Sequence, residues 1–277
     1  MKLFKVYWRL LFKYLRYYFR AKTLYDLHSP FLVTFAKAVL EDRRHFYAFS
    51  DAEDIRERLK LDRNKVPIVD LGAGSLVSDQ QERSIQNIVH YTAIRAKAGR
   101  QLFRMVNLFR PKKMLELGTS LGISTIYQAA ASLQGQMITI EGNPHLYPWS
   151  TQAFEICSLA NITQLTGTFK DQLPLALEKL GKVDYVFIDG DHRMDQTLSY
   201  FETCLEYTHN DSVFVLADIH WSDEMEACWK KIKSNAQVRL SIDLFHFGVV
   251  FFRQELKEKL EVSLIRANRK PWRLGFF

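Results

Sequence analysis

The sequence predicts an α/β protein with a mostly parallel sheet, helices on both faces, a C-terminal antiparallel hairpin and an N-terminal, mainly helical extension. From Lys113 onward, apolar runs of strand length alternate with helical stretches, which is typical of a parallel sheet covered on both faces. Two later runs, VRLSIDLF and GVVFF, are too close in sequence for a parallel crossover and must pair antiparallel. A chain of 277 residues with 47% hydrophobic content can bury one such domain.

The excess positive charge is confined to the first 22 residues, MKLFKVYWRLLFKYLRYYFRAK. This segment contains seven cations and no acidic residue, which accounts for the whole net charge of +7. From Lys2 to Arg20 the cations recur every three or four residues, so they form one stripe along a predicted amphipathic helix. The rest of the chain is neutral, which argues against a broad nucleic-acid-binding face.

Two interpretations of this basic helix stay open. It packs its apolar side on the body of the protein or on a second subunit, giving a homodimer, or residues 1–22 lie on an anionic membrane surface. A cation on every turn excludes a membrane-spanning helix, and no small-residue cleavage site follows. The three cysteines show no metal-like spacing and are expected to be buried thiols in a reducing compartment. We therefore expect a cytoplasmic protein, or one at the inner face of the membrane.

The elements of the extension follow from local signals. Ser29 is predicted to cap a helix that has Pro30 at its first position, where the missing N–H costs nothing. Three further elements are predicted: a helix over 51–60 after Ser50, a strand over Val66–Leu71, and a mostly helical stretch over Gln81–Phe109. The last of these is expected to break near Gly99.

The regular part of the chain alternates between strands and helices. The predicted strands are MLEL, MITI, ITQL, VDYVFI and SVFVLA, followed by the hairpin. The predicted helices are Ser124–Ser132, Ser150–Leu159, Gln172–Leu180, Asp195–Glu206 and Asp223–Ser234. We expect an N-terminal extension over residues 1–90 and one larger domain over residues 91–277.

Two glycine turns, VDLGAGS (69–75) and LELGTSLGIST (115–125), compete as the ligand site. Ligands of open α/β sheets bind at the carboxyl ends of the strands, and a nucleoside needs an acid at the end of the next strand. The second turn meets this condition, because Glu141 ends the following strand, close to the roughly 20 residues expected after the glycine turn. The first turn has no such acid, so we interpret VDLGAGS as structural, and a role as part of an acceptor lid stays open as the alternative.

The spacing of the second turn also indicates what it binds. Gly118 and Gly122 are separated by three residues, so the G-x-G-x-x-G arrangement that holds a pyrophosphate is missing. A turn with a ribose acid but no phosphate cradle suits a nucleoside without phosphates, of which S-adenosylmethionine is the common one.

Five motifs in order carry a family resemblance: KAGRQLFRMVNLFRPKKMLELGTSLGIST, ITIEGNP, LTGTFKD, VFIDGDH and VLADIHW. Residues from about 96 to 253 resemble the Rossmann-like class I S-adenosylmethionine-dependent methyltransferases. They are most similar to the catechol and macrocin O-methyltransferase-like enzymes, which act on small molecules. The resemblance implies O-methylation of a small-molecule acceptor, with S-adenosylmethionine as cofactor and no nucleic acid.

The resemblance also implies a set of cofactor-binding residues. They are Glu116, Gly118, Thr119, Ser120, Gly122, Ser124, Glu141, Gly142, Thr168, Phe169 and Asp189. Among them, Glu141 would bind the ribose hydroxyls, and Thr168 and Phe169 would border the adenine.

At the reacting end, the resemblance implies a proton acceptor and, in some members, a divalent metal. Asp191 and His192 are the candidate bases, and the ordinary pKa of histidine near ~6.5 suits proton transfer. Asp189 and Asp218 are the candidate ligands of Mg²⁺. The sequence departs from the metal-dependent pattern at Ile219, which cannot bind a metal. His220, the next residue, is the candidate substitute ligand, although its side chain is expected to point in a different direction.

Two other functions stay open. Because Ile219 replaces a ligand of the metal-dependent pattern, one alternative is a cofactor-binding or membrane-associated protein whose catalytic site has decayed. A nicotinamide-dependent oxidoreductase is the other alternative, although the glycine spacing and the terminal hairpin count against it.

Overall fold

The computed structural model describes residues 2–67, 69, 82–191 and 193–273, with side chains from residue 8 to residue 272 within these ranges. The chain divides into two compact units. The first unit consists of Met1–Arg43 and His209–Phe277, and the second unit is Arg44–Thr208. His192 lies outside the described residues, as does VDLGAGS apart from Val69.

The helices and strands follow the alternation that the sequence predicts. The α-helices are α1 (Lys2–Arg20), α2 (Pro30–Phe35), α3 (Tyr47–Leu61), α4 (Ile85–Tyr91), α5 (Ala96–Phe109), α6 (Ile123–Ala129), α7 (Tyr147–Ile156), α8 (Phe169–Leu180), α9 (Met194–Leu205) and α10 (Asp223–Ser234). The strands are β1 (Lys65–Pro67), β2 (Glu82–Ser84), β3 (Lys113–Leu117), β4 (Gln136–Glu141), β5 (Ile162–Thr166), β6 (Tyr185–Ile188), β7 (Val213–Ala217), β8 (Leu240–Asp243), β9 (Phe247–Phe251) and β10 (Leu260–Ser263).

Parallel strands organise the second unit. β3 pairs with β4 on one side and with β6 on the other, and β5 pairs with the outer side of β4. All residues of β6 are buried, as are most of those of β3 and β4. This burial is what the apolar runs predict for strands covered on both faces. The parallel register places the carboxyl ends of β3, β4 and β6 at one edge.

Helices α3 to α7 share one hydrophobic core with residues of β1 and the β3–α6 turn. Helix α3 starts at Tyr47, so the predicted start after Ser50 was one turn too late. β1 and β2 form a short antiparallel pair, of which only the first was predicted.

The predicted helix break near Gly99 was wrong. Gly99 lies inside α5, and the chain breaks earlier, over residues 92–95, between α4 and α5. An added Cβ at Gly99 would lie 2.3 Å from Cε2 of Tyr127. Glycine is needed here because the Tyr127 ring of α6 packs directly on the α5 backbone, and not because the helix ends.

The first unit contains the predicted terminal hairpin. β8 and β9 pair antiparallel, and β9 also pairs antiparallel with β7. The sequence analysis missed β10, which pairs parallel with β8. Pro30 opens α2 after Ser29 as predicted, although the Ser29 side chain makes no capping hydrogen bond.

Candidate functional site

The turn after β3 is tied to the neighbouring strand β4. The backbone N–H groups of Gly118 and Thr119 both donate to the Ile140 carbonyl, at N···O distances of 2.9 and 3.2 Å. Gly118 has φ +106°, and an added Cβ would lie 2.3 Å from the Asp189 carbonyl oxygen at the end of β6. This conformation and this close approach both require glycine. The turn therefore packs closely against the carboxyl ends of β4 and β6.

Glu141 reaches from the end of β4 to this turn. Its carboxylate accepts a hydrogen bond from the Ser120 N–H at 2.6 Å and another from the Asn143 N–H at 2.8 Å. Burial raises the pKa of Glu141 above the ordinary glutamate value, although these backbone donors and that of Gly142 favour the ionised form. The predicted proximity of Glu141 and the Gly118 turn is thus confirmed.

Glu116 is fully buried inside β3. Its carboxylate accepts hydrogen bonds from Thr125 (2.5 Å), Gln128 (2.8 Å) and Thr139 (2.7 Å). Burial raises the pKa of Glu116, and the side-chain hydrogen bonds it receives only partly offset that effect. These contacts give Glu116 the role of holding α6 and β4 on β3, beneath the turn.

The same network extends into the turn. The hydroxyl groups of Thr119 and Thr139 lie 2.6 Å apart. Gly122, with φ +81°, is the residue before α6, and Ser124 is buried in the first turn of that helix. The three predicted residues Thr119, Gly122 and Ser124 therefore lie together with Gly118 and Ser120.

A second wall of the candidate site begins after β5. Thr168 caps α8 by accepting a hydrogen bond from the Asp171 N–H at 3.2 Å. Phe169 is the first residue of α8, and its ring packs edge-on against Tyr200 with 5.5 Å between centroids. The ring also lies against Gly190, where an added Cβ would be 2.4 Å away. Phe169 is therefore placed beside the segment that follows β6.

That segment carries Asp189 and Asp191. Asp189 donates its N–H to the Leu117 carbonyl at 2.9 Å, which continues the pairing of β6 with β3. Asp191 has φ +60°, and its carboxylate binds the Arg193 guanidinium at 2.5 and 2.8 Å. The Tyr200 hydroxyl donates to the same carboxylate at 3.2 Å. Asp191 is thus an ion-paired carboxylate that shapes the turn.

The end of β7, in the first unit, carries the other predicted metal ligand. Asp218 has φ +52° and donates its N–H to the His246 carbonyl at 2.8 Å. Ile219 is fully buried. The two ring nitrogens of His220 contact Glu226 (2.7 Å) and Asp243 (3.0 Å), so they are not directed at a metal. Among the described residues, no three His, Cys, Asp or Glu side chains are arranged to hold a metal ion.

Sequence reasoning missed three residues that hold the site. Asn143 donates its side-chain amide to the Pro67 carbonyl at 2.9 Å and accepts from the His145 N–H at 3.0 Å. Arg193 and Tyr200 hold the Asp191 carboxylate. The ion pair between Arg193 and Asp191 could have been predicted from the sequence, because the two residues are only two positions apart. The contacts of Asn143 and Tyr200 depend on how distant parts of the chain pack.

Residues 115–219 match a family model described as a methyltransferase domain. A catechol O-methyltransferase of Niastella koreensis is 31% identical over 124 residues, which are 44% of this chain and 55% of the relative. A catechol O-methyltransferase of Mycobacterium tuberculosis is 26% identical over 129 residues, 46% of this chain and 57% of the relative. The chain therefore spans little more than half the length of these relatives.

Solved structures show the same fold. An O-methyltransferase from Bacillus cereus in complex with S-adenosylhomocysteine has a TM-score of 0.54, 16% identity, and coverage of 76% of this chain and 92% of that one. An O-methyltransferase from Streptomyces achromogenes in complex with S-adenosylmethionine has a TM-score of 0.53, 18% identity, and coverage of 76% and 91%. At these identities the likeness concerns the fold alone.

Proposed function

Because the chain carries a methyltransferase domain with the class I S-adenosylmethionine-dependent fold, we propose that it transfers a methyl group from S-adenosylmethionine to a hydroxyl oxygen of a small molecule. The observation that carries this proposal is the contact between Glu141 and the Ser120 N–H. It places a half-buried carboxylate against a glycine turn at the tips of two adjacent parallel strands. This is where open α/β sheets bind ligands.

The residues around this contact fit a nucleoside. A carboxylate accepts hydrogen bonds only, so Glu141 suits the two vicinal hydroxyls of a ribose. The Phe169 ring offers an apolar surface for an adenine. The turn has no phosphate-binding glycine pattern, which favours a nucleoside without a pyrophosphate over NAD.

When bound, S-adenosylmethionine supplies a methyl group on a positively charged sulfur. As the new carbon–oxygen bond forms, the carbon–sulfur bond breaks, its electron pair stays on sulfur, and the acceptor hydroxyl loses its proton. The chain has two tasks in this step: to fix the nucleoside through Glu141 and the turn, and to receive the proton. The acceptor must approach the methyl group opposite the sulfur for the displacement to occur.

We propose His192 as the group that receives the proton, with Asp191 as the second candidate. Arg193 and Tyr200 already donate hydrogen bonds to the Asp191 carboxylate, so fewer of its lone pairs are open to a proton from the acceptor. His192→Ala is expected to lower kcat by about 10²- to 10⁴-fold with little change in S-adenosylhomocysteine affinity. Methyl transfer from labelled S-adenosylmethionine to a panel of catechols, other phenols and sugars measures this.

The control for this substitution is His45→Ala, which changes an exposed histidine of the same unit. Asp191→Asn tests the second candidate. Full activity in both the His192 and the Asp191 variants would show that neither group receives the proton.

Magnesium is a further part of the cofactor proposal, with Asp189 and Asp218 as oxygen ligands. The described donors do not fit a centre with three protein ligands, because Ile219 is buried and apolar and the His220 nitrogens contact carboxylates. We therefore assign no step of the transfer to a metal. Undiminished activity after treatment with EDTA would exclude the magnesium proposal.

Several further proposals rest on the sequence alone. They are the division into an extension (1–90) and a catalytic domain (91–277), a cytoplasmic location that includes the inner face of a membrane, and a homodimer. The small-molecule acceptor is supported by the relatives, which are catechol O-methyltransferases.

Calorimetric titration tests the cofactor proposal. We expect S-adenosylhomocysteine to bind with a Kd on the order of micromolar, about −8 kcal/mol, and NAD to give no heat of binding. Binding of NAD in place of S-adenosylhomocysteine would instead assign the chain to nicotinamide-dependent oxidoreductases. Binding of S-adenosylhomocysteine without methyl transfer to any acceptor would favour a protein with a decayed site.

A further inference from the structure

Helix α1 presents three different faces. Tyr17 and Ala21 are buried and pack with Phe245 and Ile265 of the first unit. The Tyr17 hydroxyl donates to the Leu264 carbonyl, and the Lys13 ammonium lies 2.9 Å from an Asp223 oxygen. One side of α1 is therefore already used to fix the helix within its unit.

The opposite side of α1 is apolar and exposed. Its five large side chains are Trp8, Leu11, Phe12, Leu15 and Phe19. At about 100° per residue they fall within an arc of about 100°, roughly opposite Tyr17. Phe12 is 65% exposed and Phe19 is 72% exposed. We call these five residues the outer face of α1.

The aromatic surface continues beyond the helix. The Trp272 ring packs edge-on against Tyr18 with 6.0 Å between centroids, and Trp272 is itself 63% exposed. Isolated exposed apolar residues are common, but a contiguous set that includes two tryptophans and two phenylalanines indicates a binding surface.

Exposed cations flank the outer face on one side. Arg9, Arg16 and Arg20 are exposed and lie about 85–125° around the helix from the centre of the face. Arg9 also lies 3.9 Å from an Asp223 oxygen. No acidic residue occurs in the sequence before Asp26. A second copy of this chain would bring the same cations to the contact, whereas an anionic surface would complement them. None of the described helices is long and apolar enough to cross a membrane.

We propose that the outer face of α1, with Trp272, docks on the surface of a bilayer that contains anionic lipid. Tryptophan and phenylalanine would enter the headgroup region, and the arginines beside them would contact lipid phosphates. Each cation close to such a surface is expected to raise the partition coefficient about fivefold. The docking does not depend on the proposed methyl transfer.

Liposome flotation of the full chain tests the proposal. We expect recovery with vesicles of phosphatidylcholine and phosphatidylglycerol, and little recovery with phosphatidylcholine alone. Phe12→Ser combined with Phe19→Ser is expected to lower the partition coefficient at least about tenfold. Arg16→Gln combined with Arg20→Gln is expected to lower it as well, and added salt should reduce the binding of the unchanged protein.

The matched control is Tyr47→Ser combined with Tyr91→Ser, which removes two exposed aromatic rings of the second unit. Thermal melting verifies that all variants are folded. Equal flotation of the Phe12/Phe19 variant and the unchanged protein would overturn the proposal. Sedimentation without lipid tests the alternative that the outer face binds a second copy of the chain. That alternative holds if the protein is a dimer, the same two substitutions dissociate it, and the unchanged protein does not float with vesicles.

Discussion

Gly118→Ala is expected to abolish S-adenosylhomocysteine binding and to lower the melting temperature by about 5–10 °C. The residue has φ +106°, which an L-residue adopts only at a cost of about 1–3 kcal/mol. The new Cβ would also lie 2.3 Å from the Asp189 carbonyl oxygen. That oxygen belongs to the backbone at the end of β6, so it cannot rotate away as a flexible side chain would. The turn must therefore move away from β6.

Movement of the turn would disturb the candidate site at once, because the N–H groups of Gly118 and Thr119 bind the Ile140 carbonyl and that of Ser120 binds Glu141. A displacement of about 1 Å can cost on the order of a hundredfold in a positioned site. Calorimetry with S-adenosylhomocysteine and a thermal melt measure the two effects.

Gly181→Ala is the matched control. Gly181 also has a positive φ, +67°, but the nearest atom to an added Cβ is Nζ of Lys113 at 3.5 Å. This control carries backbone strain without the clash, and Gly181 lies at the end of α8, before β6. Equal loss of affinity in the two variants would show that the Gly118 turn has no special part in binding.

Most strands from β3 to β9 were predictable because they are nearly continuous apolar runs of strand length, although β5 and β8 mix apolar and polar residues. The contact between Glu141 and the Gly118 turn followed from the same pattern, since parallel strands bring their carboxyl ends to one edge. The match of residues 115–219 to a methyltransferase domain model confirms the methyltransferase resemblance that the five motifs carry, and the likeness to solved structures confirms the fold.

Features that depend on distant contacts were not predictable. Gly99 looked like a helix break, but its role is to admit the Tyr127 ring from another helix. Strand β10 has four residues, of which only Val262 is buried, so its sequence carries little strand signal. Asp191 was predicted as a base. The hydrogen bond that its carboxylate accepts from Tyr200 of α9 could not be predicted, because it depends on how that helix packs.

Glu141→Ala is expected to weaken S-adenosylhomocysteine binding by on the order of a hundredfold or more. In the proposed site, the ribose hydroxyls donate hydrogen bonds to the Glu141 carboxylate, and hydrogen bonds to charged groups contribute about 1.5–3 kcal/mol each. The substitution also removes the acceptor of the Ser120 N–H, which positions the turn. Glu141→Gln keeps the shape of the side chain and one acceptor oxygen, so its loss of affinity should be smaller, about tenfold.

The pH dependence of binding distinguishes these effects. Burial raises the pKa of Glu141 in the free protein, and ribose hydroxyls would bind the ionised form preferentially. Affinity is therefore expected to fall as the pH is lowered from neutrality through this raised pKa, and Glu141→Gln should flatten the fall. Glu178→Gln, at an exposed glutamate of α8, serves as the control. Unchanged affinity in both Glu141 variants would mean that the nucleoside does not bind across the ends of β3 and β4, and the proposed function would lose its site.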